Sequence, residues 1–354
     1  MRFKSRSLLT AALIAAISAP AFGSTDISGT DILREWNLVV LGDLNSSSEV
    51  EGRTFVGGDL NGNSSNYNIA SIPVSSNGEP GLTVVGDVNG GTKNLNNGAG
   101  AVVGGNVNSG FNLNGAAQTV EVGGTISNTN VNQNTVNSGL SSSDPAFTQN
   151  LEQQSSLIAS STKDLSHDLS TLTSNSNLTI NGNTGTFTAQ PDANGVAVFN
   201  ISAADLDKIG EIQFNLNGAD TAIVNVSGTS ITLNDNFLGG TNNLGQNVIW
   251  NFPDATDLTL TTAFGGSILA PNAAAHTYNY IQGSAVFGSL VQDGEMHVGT
   301  YGGSYYTPPP SASSSTSGGS SSGGTDVPEP GMLLLFGAGI AGLVYWRRRR
   351  PKAA

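Results

Sequence analysis

The sequence predicts a mainly β protein wound as a β-solenoid, β-helix-like with coils of about 20 residues, and flanked by one long α-helix. Three observations carry this. Short apolar runs ending in Gly-Gly or Gly-Asp recur through the first half. A glycine-free stretch from Asp144 to Leu172 carries leucine at helical spacing. Val, Ile and Thr recur in short blocks in a chain with 46 glycines and only 11% charged residues. Disordered chains are poor in β-branched residues, so the blocks read as ordered, turn-rich β structure.

The chain opens with Arg2, Lys4 and Arg6, an apolar stretch from Leu8 to Ile17, and small residues. Ala21-Phe22-Gly23 fits a small-x-small cleavage site, with Ala19-Pro20-Ala21 as a second option. Residues 1–23 therefore read as a secretory signal peptide, too short in its apolar core for a membrane span. A β domain is expected over 24–307.

Its repeats are Val39 to Leu44, Phe55 to Leu60, Val84 to Val88, Val102 to Val107 and Glu121 to Ile126. Asp43, Asp59, Asp87, Asn106 and Thr125 fall at one phase, separated by 16, 28, 19 and 19 residues. Each unit reads as a short strand and a glycine turn, the glycines supplying positive φ at corners. An antiparallel sandwich of hairpins is the alternative, with Tyr67 to Gly81 as a loop. Next, Asp144 as N-cap and Pro145 at the first helical position start a helix over about 145–172. Leu151, Leu157, Ile158, Leu165, Leu169 and Leu172 form its apolar stripe, which would cover a solenoid face.

Strand-like runs return at 178–180, 196–201, 211–216, 222–226, 230–233, 247–252 and 258–260, followed by blocks at 266–273 and 281–290. Residues 308–326, Pro-rich and then Ser/Gly-rich, read as a flexible linker.

Composition excludes several classes. Of 13 Lys and Arg, only Arg34, Arg53, Lys93, Lys163 and Lys208 lie between the two terminal signals. A body this acidic repels phosphate backbones, which argues against nucleic acid as a partner. With no cysteine there are no disulfides, and about 280 residues suffice for a core without them.

The C-terminus, 327–354, has three parts: Val327-Pro328-Glu329-Pro330, an apolar run over 331–346, and Arg347, Arg348, Arg349 and Arg350. As a helix the run would be about 24 Å long at about 1.5 Å per residue, with the arginines held in the cytoplasm by the positive-inside rule. An ordinary permanent tail anchor is the alternative. Order and spacing resemble the PEP-CTERM sorting signal of Gram-negative bacteria. That resemblance implies Sec-dependent export, transient anchoring in the inner membrane, processing by an exosortase, and delivery to the cell surface or extracellular matrix.

In the body, Trp36 to Leu44, Val50 to Asp59, Gly266 to Ala273, Ile281 to Ser284 and Gly294 to His297 together resemble the choice-of-anchor A domain of bacterial surface proteins. A looser resemblance is to ice-binding-like β-solenoids, which also carry a long flanking helix, although long Thr-x-Thr arrays are lacking here. The choice-of-anchor A resemblance implies an extracellular β-rich domain with an adhesive role; the repetitive, weakly charged Asn/Ser/Thr surface reads as a non-enzymatic hydrogen-bonding surface for exopolysaccharide, biofilm matrix or a surface partner.

Candidate chemistry is sparse. Asp293, Glu295 and His297 alternate, so on one strand they would share a face able to hold a metal or run acid–base chemistry. Asp43, Asp59 and Asp87 could line up as a carboxylate column for calcium or, alternatively, as a structural corner ladder. His167 falls on the polar side of the helix, and nothing in the sequence pairs it or His276. The enzyme alternative is a β-solenoid carbohydrate-active enzyme using paired carboxylates. No nucleophile elbow, phosphate-cradling loop or zinc motif is present.

Overall fold

The computed structural model describes residues 27–75 and 77–307. The segments read from sequence as signal peptide (1–23), linker (308–326) and sorting tail with an apolar run over 331–346 lie outside the described residues. Among those described, no helix is long and apolar enough to cross a membrane.

Apart from the antiparallel hairpin of Asn177–Asn181 with Thr184–Thr188, which opens a separate four-stranded sheet in the second half, the body is a parallel solenoid with three faces, not a sandwich of hairpins. The first face stacks eleven strands, from Thr135–Asn137 at one end to Val196–Ser202 at the other. The chain enters this stack in the middle. Leu38–Val40 pairs with Thr54–Val56 on one side, and the first half grows outward from there to Thr135–Asn137. The second half starts at the opposite end and steps back until Ala285–Gln292 pairs with Leu38–Val40. First and last coils are thus neighbours at a central seam. Asn37, fully buried, ties it: its amide donates to the Gly283 and His297 carbonyls and accepts from the Gly52 N–H.

Such an order needs a return path, which the helix Pro145–Ser170 supplies. Its 26 residues span about 39 Å, close to the roughly 48 Å of eleven stacked strands. Asp144 caps it by accepting from the Ala146 N–H, with Pro145 opening the first turn. Ile158, Leu165 and Leu169 pack on Val39, Phe55, Ile223, Ile249, Leu269 and Val286, the outward mid-strand residues of the first face. That face is therefore buried on both sides, so its strands read as unbroken apolar runs. A buried amide row fixes the end of the helix. Asn251 donates to Asn225 and to the Ser166 carbonyl, and Asn225 donates to Asn200 and to the Leu169 carbonyl.

The second face runs through Ser230–Leu233, Asp257–Leu260, the ends of Ser267–Thr277 and Ala285–Gln292, Leu44–Ser46 and Leu60–Asn61. The third runs through Phe111–Leu113, Lys93–Leu95, Ser65–Tyr67, Glu49–Val50, Met296–His297, Ile281–Gln282 and Phe264–Gly265. Inside, aliphatic rows fill the narrow first half, whereas Trp250 and the rings of Phe187, Phe214, Phe237 and Phe264 fill the second.

The glycines before the repeated Asp positions serve a purpose other than positive φ. Gly58, Gly86, Gly105 and Gly124 lie outside that region of backbone space. At each, a Cβ would collide with the side-chain oxygen of Asp43, Asp59, Asp87 or Asn106 on the preceding coil.

Candidate functional site

The repeated acids form a ladder along one corner. Asp43 Oδ1 accepts the Asp59 N–H at 2.8 Å, and Asp59 Oδ1 accepts the Asp87 N–H at 2.7 Å. Asp87 Oδ1 accepts the Asn106 N–H, and Asn106 Oδ1 accepts the Thr125 N–H at 2.9 Å. One oxygen of each carboxylate is thus committed to the backbone of the next coil. Among the described residues, no three His, Cys, Asp or Glu side chains come together to hold a metal ion.

The helix covers the first face and leaves the second and third faces bare. Their outward rows are amide-rich. On the second, Asn108 donates to Asn89 and Asn89 to Asn61, at 2.8 and 3.1 Å. On the third, Asn112 donates to Asn94, Asn94 to Asn66, and Asn66 to Glu49, at 2.8, 2.8 and 3.0 Å. Beside that row lies a cavity of about 330 Å³ lined by Glu49, Asn66, Ile69, Asn96, Asn97 and Asn114. Laddered amides are held in one orientation, which spares a ligand much of the ordering cost.

Asp293, Glu295 and His297 do not share one strand. Ala285–Gln292 ends on the second face, the chain turns at Gly294, and Met296–His297 belongs to the third. Asp293 Oδ2 instead bonds His276 Nε2 of the neighbouring coil at 2.8 Å, and Glu295 Oε2 bonds His297 Nε2 at 2.8 Å. Nor is this coil terminal, since it abuts the first coil at the seam. Each imidazole also stacks on a tyrosine. His276 lies 3.9 Å from Tyr278, centroid to centroid, and His297 lies 4.5 Å from Tyr280. The first pair is diagonal: the register sets His276 opposite Val291 and Thr277 opposite Gln292, and Asp293 reaches back across the coils to His276. His167 is exposed on the helix, as its place on the polar side, away from the leucine stripe, predicts.

Four of the five body cations are committed elsewhere, and Lys163 is exposed on the helix. Arg34 sits over the Tyr301 ring and donates to the Gly303 and Tyr305 carbonyls, Arg53 pairs with Glu35, and Lys208 pairs with Asp205. Lys93 is fully buried and donates to the Gly62 and Asn63 carbonyls; burial pushes its ammonium down to about 8. Asp235 is the opposite case. It is buried with Oδ1 unpartnered, and burial, with Asp207 nearby, raises its carboxyl from 3.8 to about 6. The unfolded chain ionises first, so this residue costs nothing below pH 3.8 and its penalty grows to completion above pH 6. Asp235→Asn is therefore expected to raise stability at pH 7 by about 1–2 kcal/mol and to change nothing near pH 3.5. Urea unfolding at the two pH values checks this.

No curated protein and no solved structure matches the chain. Two family models do. Residues 326–350 match the PEP-CTERM protein-sorting motif, which supports export, exosortase processing and an extracellular or surface location. Residues 29–298 match the model described as "Putative Ice-binding-like adhesive domain". That span contains the solenoid, its helix and the bare amide rows, and the chain belongs to the ice-binding-like adhesive domain family.

Proposed function

We propose that this is a non-enzymatic adhesive protein of the cell surface or extracellular matrix, which binds exopolysaccharide or another matrix component through its two helix-free faces. In this reading the Sec translocon exports it from a Gram-negative cell, and the sorting tail holds it in the inner membrane until an exosortase cuts near Pro328-Glu329-Pro330. The single supporting observation is the contrast between faces. One is sealed by the helix, and the others each present an ordered row of Asn over three successive coils. A repetitive, weakly charged hydrogen-bonding surface suits a repetitive polyhydroxylated ligand, and preorganised rows lower the cost of binding it. Membership of an adhesive family supports a role without catalysis.

The test is retention. Released protein, passed over matrix from the cells that make it, is expected to be retained and to be eluted by soluble exopolysaccharide from the same cells. Passage without retention would remove the adhesive reading.

A further inference from the structure

The corner beside the seam breaks the amide pattern with aromatic rings. His276 and Tyr278 end the second-face part of Ser267–Thr277, and Tyr280 begins the third face. One residue before the Ile281–Met296 and Met296–Val50 pairs, Tyr280, Glu295 and Glu49 fall in one outward row. This row continues through Asn66, Asn94 and Asn112. A ligand lying along the third face would therefore pass from amides to carboxylates and then onto an aromatic ring.

We infer that this corner is a glycan subsite in which Tyr278 and Tyr280 form the stacking platform and Asp293 and Glu295 accept hydroxyl hydrogens, and that it takes neutral hexopyranose chains. The inference rests on the adhesive reading and narrows its ligand. Both rings are locked: Tyr278 is stacked on His276 at 27°, and Tyr280 on His297 at 12°. Each histidine is held in turn by its carboxylate. Tyr278 nevertheless stays 54% exposed. A ring held rigid yet open to water, as Tyr278 is, suits the apolar C–H face of a sugar, because little side-chain freedom is lost on contact, and half-buried Tyr280, its hydroxyl bonded to Thr241, extends the platform. Neighbouring coils are about 4.8 Å apart, close to the length of one hexopyranose, so successive sugars keep step with successive coils. Charge selects among sugars. Two carboxylates flank the rings, Arg34, Arg53, Lys93 and Lys208 are engaged in other contacts, and Lys163 lies on the exposed side of the helix that covers the first face. A uronate or sulfated chain would be repelled, whereas a neutral chain would not.

Released protein would be titrated by calorimetry with cellohexaose, maltohexaose, laminarihexaose and mannohexaose, using hexagalacturonate as the anionic control. At least one neutral probe is expected to bind and hexagalacturonate to give no heat. Tyr278→Ala and Tyr280→Ala are each expected to weaken that binding by about tenfold with unchanged circular dichroism. Binding by none of the neutral probes, equal binding of hexagalacturonate, or full binding by the double variant would overturn the subsite. Matrix retention of wild type and double variant is the separate readout. If the wild type is retained and the double variant is retained equally, the subsite fails and adhesion stands. If the wild type is not retained but a neutral hexasaccharide binds through the two tyrosines, the subsite stands and matrix adhesion fails.

Discussion

Gly86→Ala is expected to destabilise the protein by about 3 kcal/mol, although the same exchange at an ordinary residue of negative φ stabilises by about 0.4–1 kcal/mol. The sign reverses because of stacking. A Cβ on Gly86 would collide with Asp59 Oδ1 and would sit 2.8 Å from the Gly58 carbonyl oxygen and 2.9 Å from its carbon. Those atoms belong to the preceding coil, whose position is fixed by parallel pairing of Thr54–Val56 with Leu82–Val84. The coil cannot retreat without opening the ladder. A second variant separates the two collisions. Asp59→Ala removes the carboxylate, and with it the acceptor for the Asp87 N–H at 2.7 Å, and is expected to cost about 1 kcal/mol alone. In the double variant the side-chain clash is gone while the backbone clash remains. The combined loss should therefore fall short of the sum by about 1 kcal/mol. Urea unfolding of the four proteins measures this cycle. A Gly86→Ala protein as stable as wild type would mean that the coils do not stack in this register.

The same corner shows what the sequence made legible. Coils that stack in register must present the same residue type at the same phase, so Asp43, Asp59, Asp87 and Asn106 announced the solenoid before any coordinates. The leucine stripe from Leu151 to Leu169 announced the helix for a similar reason, since one side of it had to be buried. Other features leave no local trace. The seam joins residues about 250 apart, and no periodicity within either half shows that Leu38 lies beside Ala285. Third-face strands such as Lys93–Leu95 and Phe111–Leu113 have three residues each, flanked by Asn and Gly, and read as loop. Lys93 reads as a surface charge and is buried, because its ammonium satisfies two corner carbonyls. Asp293, Glu295 and His297 alternate faithfully, yet alternation says nothing of the turn at Gly294 that sends them to two faces. The stacking of His276 on Tyr278 is local to one coil, whereas the bond of His276 to Asp293 emerges only when two coils are laid side by side.

The largest cellular effect is expected at the other end of the chain. Glu329→Ala should abolish release, leaving a species that is signal-cleaved at the N-terminus and intact at the C-terminus in the inner membrane. Intact mass and cell fraction, compared in cells with and without their exosortase, measure it. Replacing Arg347, Arg348, Arg349 and Arg350 together by Ala attacks a different step. On the proposed sorting route those charges would set topology, since moving Lys or Arg through the hydrocarbon core is strongly unfavourable and cytoplasmic loops keep them. The two variants should therefore fail differently. Glu329→Ala keeps the membrane orientation and loses the cut. The arginine-free variant loses the stop, and part of it should pass through uncut and appear outside at full C-terminal mass. If both variants were released and trimmed like wild type, the sorting assignment would be removed. If wild type itself stayed at full C-terminal mass in the inner membrane with the exosortase present, the tail would be a permanent anchor, and the amide faces would have to find their ligand in the periplasm.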